Sequence, residues 1–229
     1  MCSLYRQRKD HIMAITIEGT EFSGFPGRDF ANLAQLSFQG RITWVEYRFK
    51  SFFLDTFDRV VMLEQQSYVW LCVVNLLTSA VEALAHFEYD DQSGQVRFAK
   101  FVEKYFSAAF RRPMHLNEPP NAPNRPAHTS AEQFYKYFRS GLAHSFCIEW
   151  GGLLHREDGA PDYLFETRQG PNGEHALGIA PRELVVDFRE AAGRFFIVLR
   201  GRTPGEPEYQ RFNNRFEEVY HNKVAPPLP

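Results

Sequence analysis

A long apolar segment in the first half of the chain places the strongest constraint on its fold. From Glu64 to Phe87 the segment contains neither proline nor glycine. Its apolar residues recur at steps of three and four, at Val69, Cys72, Val73, Leu76, Leu77, Ala80, Val81 and Leu84. This period predicts an α-helix. Because the helix is apolar on nearly all sides, we expect it to lie at the centre of a hydrophobic core.

Four further segments carry the same helical period. They are Gln95–Phe110, a segment that begins at Thr129 or Ser130 and runs through Phe146, Arg182–Leu199, and Glu208–Tyr220. Threonine and serine are both good N-cap residues, so either can begin the second of these helices. Pro181 stands at the first turn of the third helix, a position that tolerates proline. The sequence therefore predicts a mainly α protein.

Short β-like runs accompany the helices. Ala14–Glu18 is one such run, and the glycines and proline that follow it favour extended structure over helix. Tyr163–Thr167 and Ala176–Ile179 are joined by a Pro-Asn-Gly turn signal, which predicts a small β-hairpin. Between Thr43 and Phe57 aromatic residues crowd together without clean alternation, a pattern that favours a strand followed by a short helix.

These patterns divide the chain into three parts. Residues 1–40 are predicted to form an irregular, partly β lead-in, residues 41–200 a helical domain, and residues 201–229 a final helix and tail. Within the helical domain, residues 113–129 contain five prolines and are predicted to be a surface loop, and residues 163–179 hold the hairpin. At 229 residues, one hydrophobic core with an elaborated edge is the expectation.

Composition and charge narrow the class of protein. Hydrophobic residues make up 44% of the chain and aromatic residues 15%, which is far from a disordered composition. The formal net charge is -2, so no global positive field drives sequence-blind binding to nucleic acid. Any contact with nucleic acid must therefore be local.

The cysteines and the first residues bear on the cellular compartment. Cys2, Cys72 and Cys147 are an odd, scattered set that fits neither a disulfide framework nor a zinc site, so we predict a reducing compartment and no metal. The first residues lack the apolar core of a signal peptide, and 18 consecutive apolar residues occur nowhere. We therefore expect a cytoplasmic protein that does not enter a membrane.

One short motif carries candidate chemistry. The segment Tyr135–Ser145 reads YKYFRSGLAHS and places Arg139 and His144 on a predicted helix with four residues between them. Similar spacings occur elsewhere, at Arg6 with His11, Arg168 with His175, and Arg215 with His221. Those pairs lie in a terminus, a hairpin turn and the tail, whereas Arg139 and His144 follow a long loop and two core helices. The motif and this setting resemble the HEPN superfamily of helical bundles.

The resemblance implies an activity and an assembly. It implies a homodimer in which two motifs share one cleft and cleave single-stranded RNA without a metal or cofactor. A neutral His144 takes the proton of a ribose 2′-hydroxyl, because its pKa lies near working pH, and Arg139 holds the phosphate. Ser140 or Ser145 orients the phosphate, and Glu82 fixes Arg139 or the imidazole. The motif departs from the family at Ser140, where an amide or acid side chain is common.

Two other interpretations compete with RNA cleavage. An arginine and a histidine near the end of a core helix often form a packed, hydrogen-bonded pair that serves only the structure. A HEPN-like module without catalysis is the second possibility. Such a module would act in dimerisation, or in binding a ligand or a protein partner such as a component of a toxin–antitoxin or defence system.

Overall fold

The computed structural model describes residues 14–22, 32–62, 69–90, 93–111, 113–114, 128–142, 152–154, 164–169 and 174–220. Over these residues the protein is mainly helical, which confirms the predicted fold class at that level. The described residues form two compact units. Those within Met1–Arg48 and Arg202–Pro229 make up the first unit, and those within Phe49–Gly201 make up the second.

The described elements follow one another along the chain. The α-helices are α1 (Phe38–Phe49), α2 (Asp55–Val61), α3 (Val69–Glu88), α4 (Gly94–Tyr105), α5 (Ser130–Phe134), α6 (Pro181–Arg200) and α7 (Pro207–Tyr220). The strands are β1 (Ile15–Ile17), β2 (Thr20–Phe22), β3 (Pro113–Met114), β4 (His128–Thr129), β5 (Gly152–Leu154), β6 (Leu164–Gln169) and β7 (Glu174–Ile179). Two π-helical turns, Lys50–Leu54 and Tyr135–Ser140, and the 3₁₀ turn Ala108–Arg111 complete the set.

The first unit contains a tight β-hairpin whose turn reaches the start of α1. Strands β1 and β2 are antiparallel, and Glu18 and Gly19 between them have φ values of 51° and 80°, as a two-residue hairpin turn requires. The Glu18 carboxylate accepts hydrogen bonds from the Ser37 backbone N–H at 3.0 Å and from the Ser37 hydroxyl. These bonds from Ser37 lower the pKa of Glu18. The hairpin turn thus caps α1 from outside the helix.

Arg41 joins α1 to α7 within the first unit. Its guanidinium lies 2.6 Å from a Glu217 carboxylate oxygen and 5.1 Å from the centre of the Phe216 ring. Phe216 is fully buried, as are Trp44 of α1 and Phe22 of β2, whose rings are 5.2 Å apart. The sequence predicted the N-terminal and C-terminal segments as separate parts of the chain. Their described residues share one apolar core.

The second unit is built around α3. This helix packs against α2, α4, α6 and the turn Tyr135–Ser140. It buries six of the eight apolar residues that predicted it, while Leu76 is half-buried and Cys72 is exposed. Of the described residues, only this helix is long and apolar enough to cross a membrane, and 56% of its apolar window is buried inside the protein. The core helix of a water-soluble protein passes the same test. The predicted central position of the helix is confirmed.

Aromatic side chains fill the space around α3. Phe101 of α4 and Phe195 of α6 are fully buried, with ring centres 5.6 Å apart. Phe188 contacts Phe57 edge-on at 5.6 Å, which ties α6 to α2. Edge-to-face pairs of this kind contribute about 0.5–1.5 kcal/mol beyond their buried area. Buried phenylalanines thus make up much of the hydrophobic core of the second unit.

One prediction of secondary structure is wrong, and one predicted helix is present with a change of helix type. The region from Thr43 to Phe57, predicted as a strand and a short helix, is helical throughout its length. The helix that begins after Thr129 is α-helical only to Phe134 and then continues as a π-helical turn to Ser140. Apolar spacing indicated a helix but did not reveal the change of type, because a single π-helical turn shifts the apolar positions by only about one residue. The wider turn depends on backbone hydrogen bonds to the fifth residue, which the sequence does not display.

The first turn of α5 confirms the predicted N-cap. Thr129, one of the two expected N-cap residues, accepts a hydrogen bond from the Glu132 backbone N–H at 3.3 Å. The Glu132 carboxylate accepts one in return from the Thr129 backbone N–H at 2.9 Å, which completes a capping box.

Strands β3 and β4, at the two ends of the predicted proline-rich loop, pair antiparallel.

A small sheet follows in the second unit. Strands β6 and β7 pair antiparallel from Leu164 opposite Ile179 to Gln169 opposite Glu174, which confirms the predicted hairpin. Strand β5 adds to the other side of β7 in parallel. The sequence did not predict β5, because its three residues are too short to show a period.

Candidate functional site

Helix α3 carries the acidic member of the candidate site. Glu82 lies among the buried residues Val81, Leu84 and Ala85, so the core fixes the backbone from which its side chain projects. The Glu82 side chain is 28% exposed. A carboxylate is thus held at the border between core and solvent.

The turn Tyr135–Ser140 carries the basic member. Phe134 and Phe138 are fully buried around the turn, and they anchor it to the core while Arg139 extends toward Glu82. Arg139 Nε donates a hydrogen bond to Glu82 Oε2 at 2.7 Å, and a terminal guanidinium nitrogen, Nη2, lies 2.5 Å from the same oxygen. The predicted contact between Glu82 and Arg139 is present.

Tyr135 is a third member that the sequence did not single out. Its ring meets Phe98 of α4 edge-on at 5.3 Å. A Cβ built on Gly94, the first residue of α4, would lie 3.1 Å from Glu82 Oε1 and 3.4 Å from the Tyr135 hydroxyl oxygen. The glycine therefore leaves room for both oxygens beside the start of α4. We call Glu82, Tyr135 and Arg139 the Arg139 cluster.

The charges of the cluster act on Tyr135. Burial raises the pKa of its phenol, and the negative charge of Glu82 raises it further, while Arg139 and Arg97 lower it. The phenol is therefore a neutral hydrogen-bonding group at physiological pH. A signal for Tyr135 does exist in the sequence, since a residue four positions before Arg139 shares its helix face.

The other predicted site residues fall in two places. Ser140 is the half-buried last residue of the π-helical turn, next to Arg139. His144 and Ser145 lie outside the described residues, and so does Cys147. The structure thus brings Glu82 and Arg139 together, while the predicted roles of His144 and Ser145 stay predictions.

The cluster has the chemistry of an anion site. Glu82 occupies the Nε and Nη2 edge of the guanidinium, and no other described residue pairs with Arg139. The Arg139 side chain is 22% exposed, so its remaining N–H groups are placed to donate to a phosphate or carboxylate oxygen. Within the described ranges, no three His, Cys, Asp or Glu residues come close enough together to hold a metal ion.

Comparison with known proteins identifies no relative. No protein-family model, curated protein or solved structure matches this chain. The fold and the cluster define a mainly helical protein with a partly exposed, ion-paired arginine on a π-helical turn. Membership of the HEPN superfamily stays a prediction.

Proposed function

We propose that this chain is a HEPN-like endoribonuclease that cleaves single-stranded RNA without a metal. Arg139 binds the phosphate beside the scissile bond, and His144 acts as the general base in a cleft shared by two copies. The observation that carries the proposal is the ion pair between Arg139 and Glu82. It fixes the direction of a partly exposed guanidinium on the motif helix, next to Ser140.

The reaction needs only groups of the RNA and of the protein. His144 takes the proton of a ribose 2′-hydroxyl, and the 2′-oxygen attacks the adjacent phosphorus. The bond from phosphorus to the 5′-oxygen breaks, and the leaving oxygen takes a proton from the imidazolium or from water. The products are a 2′,3′-cyclic phosphate and a 5′-hydroxyl. Arg139 donates hydrogen bonds to the phosphate oxygens as negative charge builds on them.

Glu82 has two opposed effects in this scheme. It positions the guanidinium, which favours the transition state, and it neutralises the charge that would attract RNA. We therefore expect Glu82→Gln to bind RNA more tightly and to cleave it more slowly. A decrease in both KM and kcat distinguishes a positioning residue from one that only supports the fold.

The ion pair also favours a second candidate, a HEPN-like module that binds a partner without catalysis. An arginine whose charge is already matched by a carboxylate is a common structural pair, and it stabilises two packed elements without any ligand. In that case the pair joins α3 to the turn Tyr135–Ser140 and takes no part in RNA chemistry.

The deciding experiment compares variants on a pool of labelled single-stranded RNAs in excess EDTA. The wild type should leave cyclic phosphate ends, and His144→Ala and Arg139→Gln should each lower the rate by 100-fold or more, an effect on the order of that for a lost general base. Arg189→Gln is a matched control, because it breaks an ion pair with Asp58 at 2.5 Å elsewhere in the second unit. It should cleave like the wild type.

Two outcomes would contradict the nuclease. One is cleavage that persists in both motif variants, which would point to a contaminating enzyme. The other is an absence of cleavage by every preparation, including the wild type, across the whole pool. That second result would favour the binding module.

A further inference from the structure

The outward side of α6 carries two exposed apolar residues on one helix face. Val186 is 58% exposed and Ile197 is 71% exposed. Between them, at helical steps of four and three, lie the exposed residues Glu190 and Gly193. A Cβ built on Gly193 would meet nothing within 4 Å. We call Val186, Glu190, Gly193 and Ile197 the α6 outer face.

On the opposite side of α6, Leu184, Phe188 and Phe195 are buried in the core, so the α6 outer face is separate from the packing of the second unit. Single exposed apolar side chains are ordinary on protein surfaces. Val186 and Ile197 differ from such cases because they occupy matching positions on one face of the same helix. The spacing of four, three and four residues is that of a seam between two helices.

We propose that the α6 outer face is an interface with a second copy of this chain, in which the two α6 helices pack antiparallel about a two-fold axis. With the axis between residues 191 and 192, Val186 of one copy faces Ile197 of the other, and Glu190 faces Gly193. The lack of a side chain at Gly193 leaves room for Glu190 of the opposite helix.

The charges on this face select the antiparallel direction. Glu190 and Arg194 form a pair at 3.3 Å, and their side chains are 63% and 44% exposed. In an antiparallel pair, each Glu190 also approaches the Arg194 of the second copy, so four charges alternate around the axis. In a parallel pair, Glu190 would face Glu190 and Arg194 would face Arg194. Like charges opposite one another destabilise association.

The size of the face sets the expected strength. The α6 outer face runs from Val186 to Ile197, about 17 Å of helix, and one contact of that length falls at the low end of specific interfaces. We therefore expect a reversible association that depends on protein concentration. This interface is separate from the pairing of motif helices in the proposed nuclease, and it does not depend on that activity.

Sedimentation velocity over a range of concentrations tests the interface. Val186→Glu and Ile197→Glu should each raise the dissociation constant about tenfold or more, because each places a charge in the apolar seam. Met62→Glu is a matched control, since Met62 is 84% exposed and lies outside α6. It should leave the constant unchanged within about twofold. Circular dichroism checks that each variant is folded.

Cross-linking tests the direction of packing. In a chain whose three native cysteines are replaced by serine, Val186→Cys and Ile197→Cys copies are mixed and oxidised. The antiparallel pair should give mainly mixed cross-links, and a parallel pair would give mainly cross-links between identical copies. The proposal is overturned by cross-links of the second kind, by a wild type that stays monomeric at all concentrations, or by an assembly that tolerates both glutamate variants.

Discussion

Gly40→Ala tests whether the hairpin turn caps α1. Replacing a helical glycine with alanine ordinarily stabilises a protein by about 1 kcal/mol. Here the added Cβ would lie 2.8 Å from Glu18 Cδ and 2.9 Å from each carboxylate oxygen. Such distances are too short for real contacts, so the Glu18 side chain must move. Its movement breaks the hydrogen bonds from Ser37 that begin the helix.

The two effects have similar size and opposite sign. Loss of a helix cap costs about 0.5–2 kcal/mol and typically about 1. The stabilisation from the alanine is therefore cancelled, and Gly40→Ala should change the free energy of unfolding by less than about 0.5 kcal/mol. In a Glu18→Ala background the hydrogen bonds to the carboxylate are already absent, and only the bond from the Gly40 N–H to the Ser37 hydroxyl, at 3.2 Å, remains. In that background, Gly40→Ala should raise the free energy of unfolding by about 1 kcal/mol.

Urea unfolding of the wild type, the two single variants and the double variant gives this coupling directly. The expected interaction free energy is about 1 kcal/mol, well above the deviation of about 0.3–0.5 seen between independent sites. Free energies that add within that deviation would show that Gly40 and Glu18 do not interact, and the cap from the hairpin turn would then be wrong.

Three further predictions concern titration and capping. The pKa of Glu18 is lowered in the folded protein, so its stabilisation should be present above the unfolded pKa and disappear as pH falls through the folded pKa. Unfolding free energies of wild type and Glu18→Gln from pH 7 to pH 2.5 should therefore converge in acid. The pKa of Tyr135, followed by NMR of labelled tyrosine, should decrease in Glu82→Gln and increase in Arg139→Gln, and no change in either would place those charges elsewhere. Thr129→Ala should cost about 1 kcal/mol through loss of its capping box, whereas an unchanged urea midpoint would argue against the box.

Local patterns predicted much of the helical framework. Helix α6 begins at Pro181, as its period and its first-turn proline indicate, and α7 covers the predicted segment Glu208–Tyr220. The β-hairpin of the second unit was visible because a turn signal separates two β-like runs. The extent of helix between Phe38 and Val61 was missed. Crowded aromatic residues favour strands on their own, and here Trp44, Phe49 and Phe57 are buried on helices.

The residues of the candidate site were likewise predicted only in part. The sequence provided Arg139 through a short motif, and it suggested Glu82 only as one possible partner on α3. It did not single out Tyr135, whose phenol feels the charge of Glu82, or Gly94 of α4, which leaves room for the Glu82 carboxylate. Contacts between residues 57 positions apart, such as Glu82 and Arg139, leave no trace in a local pattern.

The sequence by itself determined the helical segments α3, α4, α6 and α7 and most of their apolar faces, because both follow from neighbours within a few positions. The tertiary structure alone decided what those segments meet. It placed Glu18 at the start of α1, Arg139 on a π-helical turn beside Glu82, and the α6 outer face in solvent. Packing of distant segments selects these contacts, since many pairings bury similar apolar area and only a few also satisfy the buried polar groups.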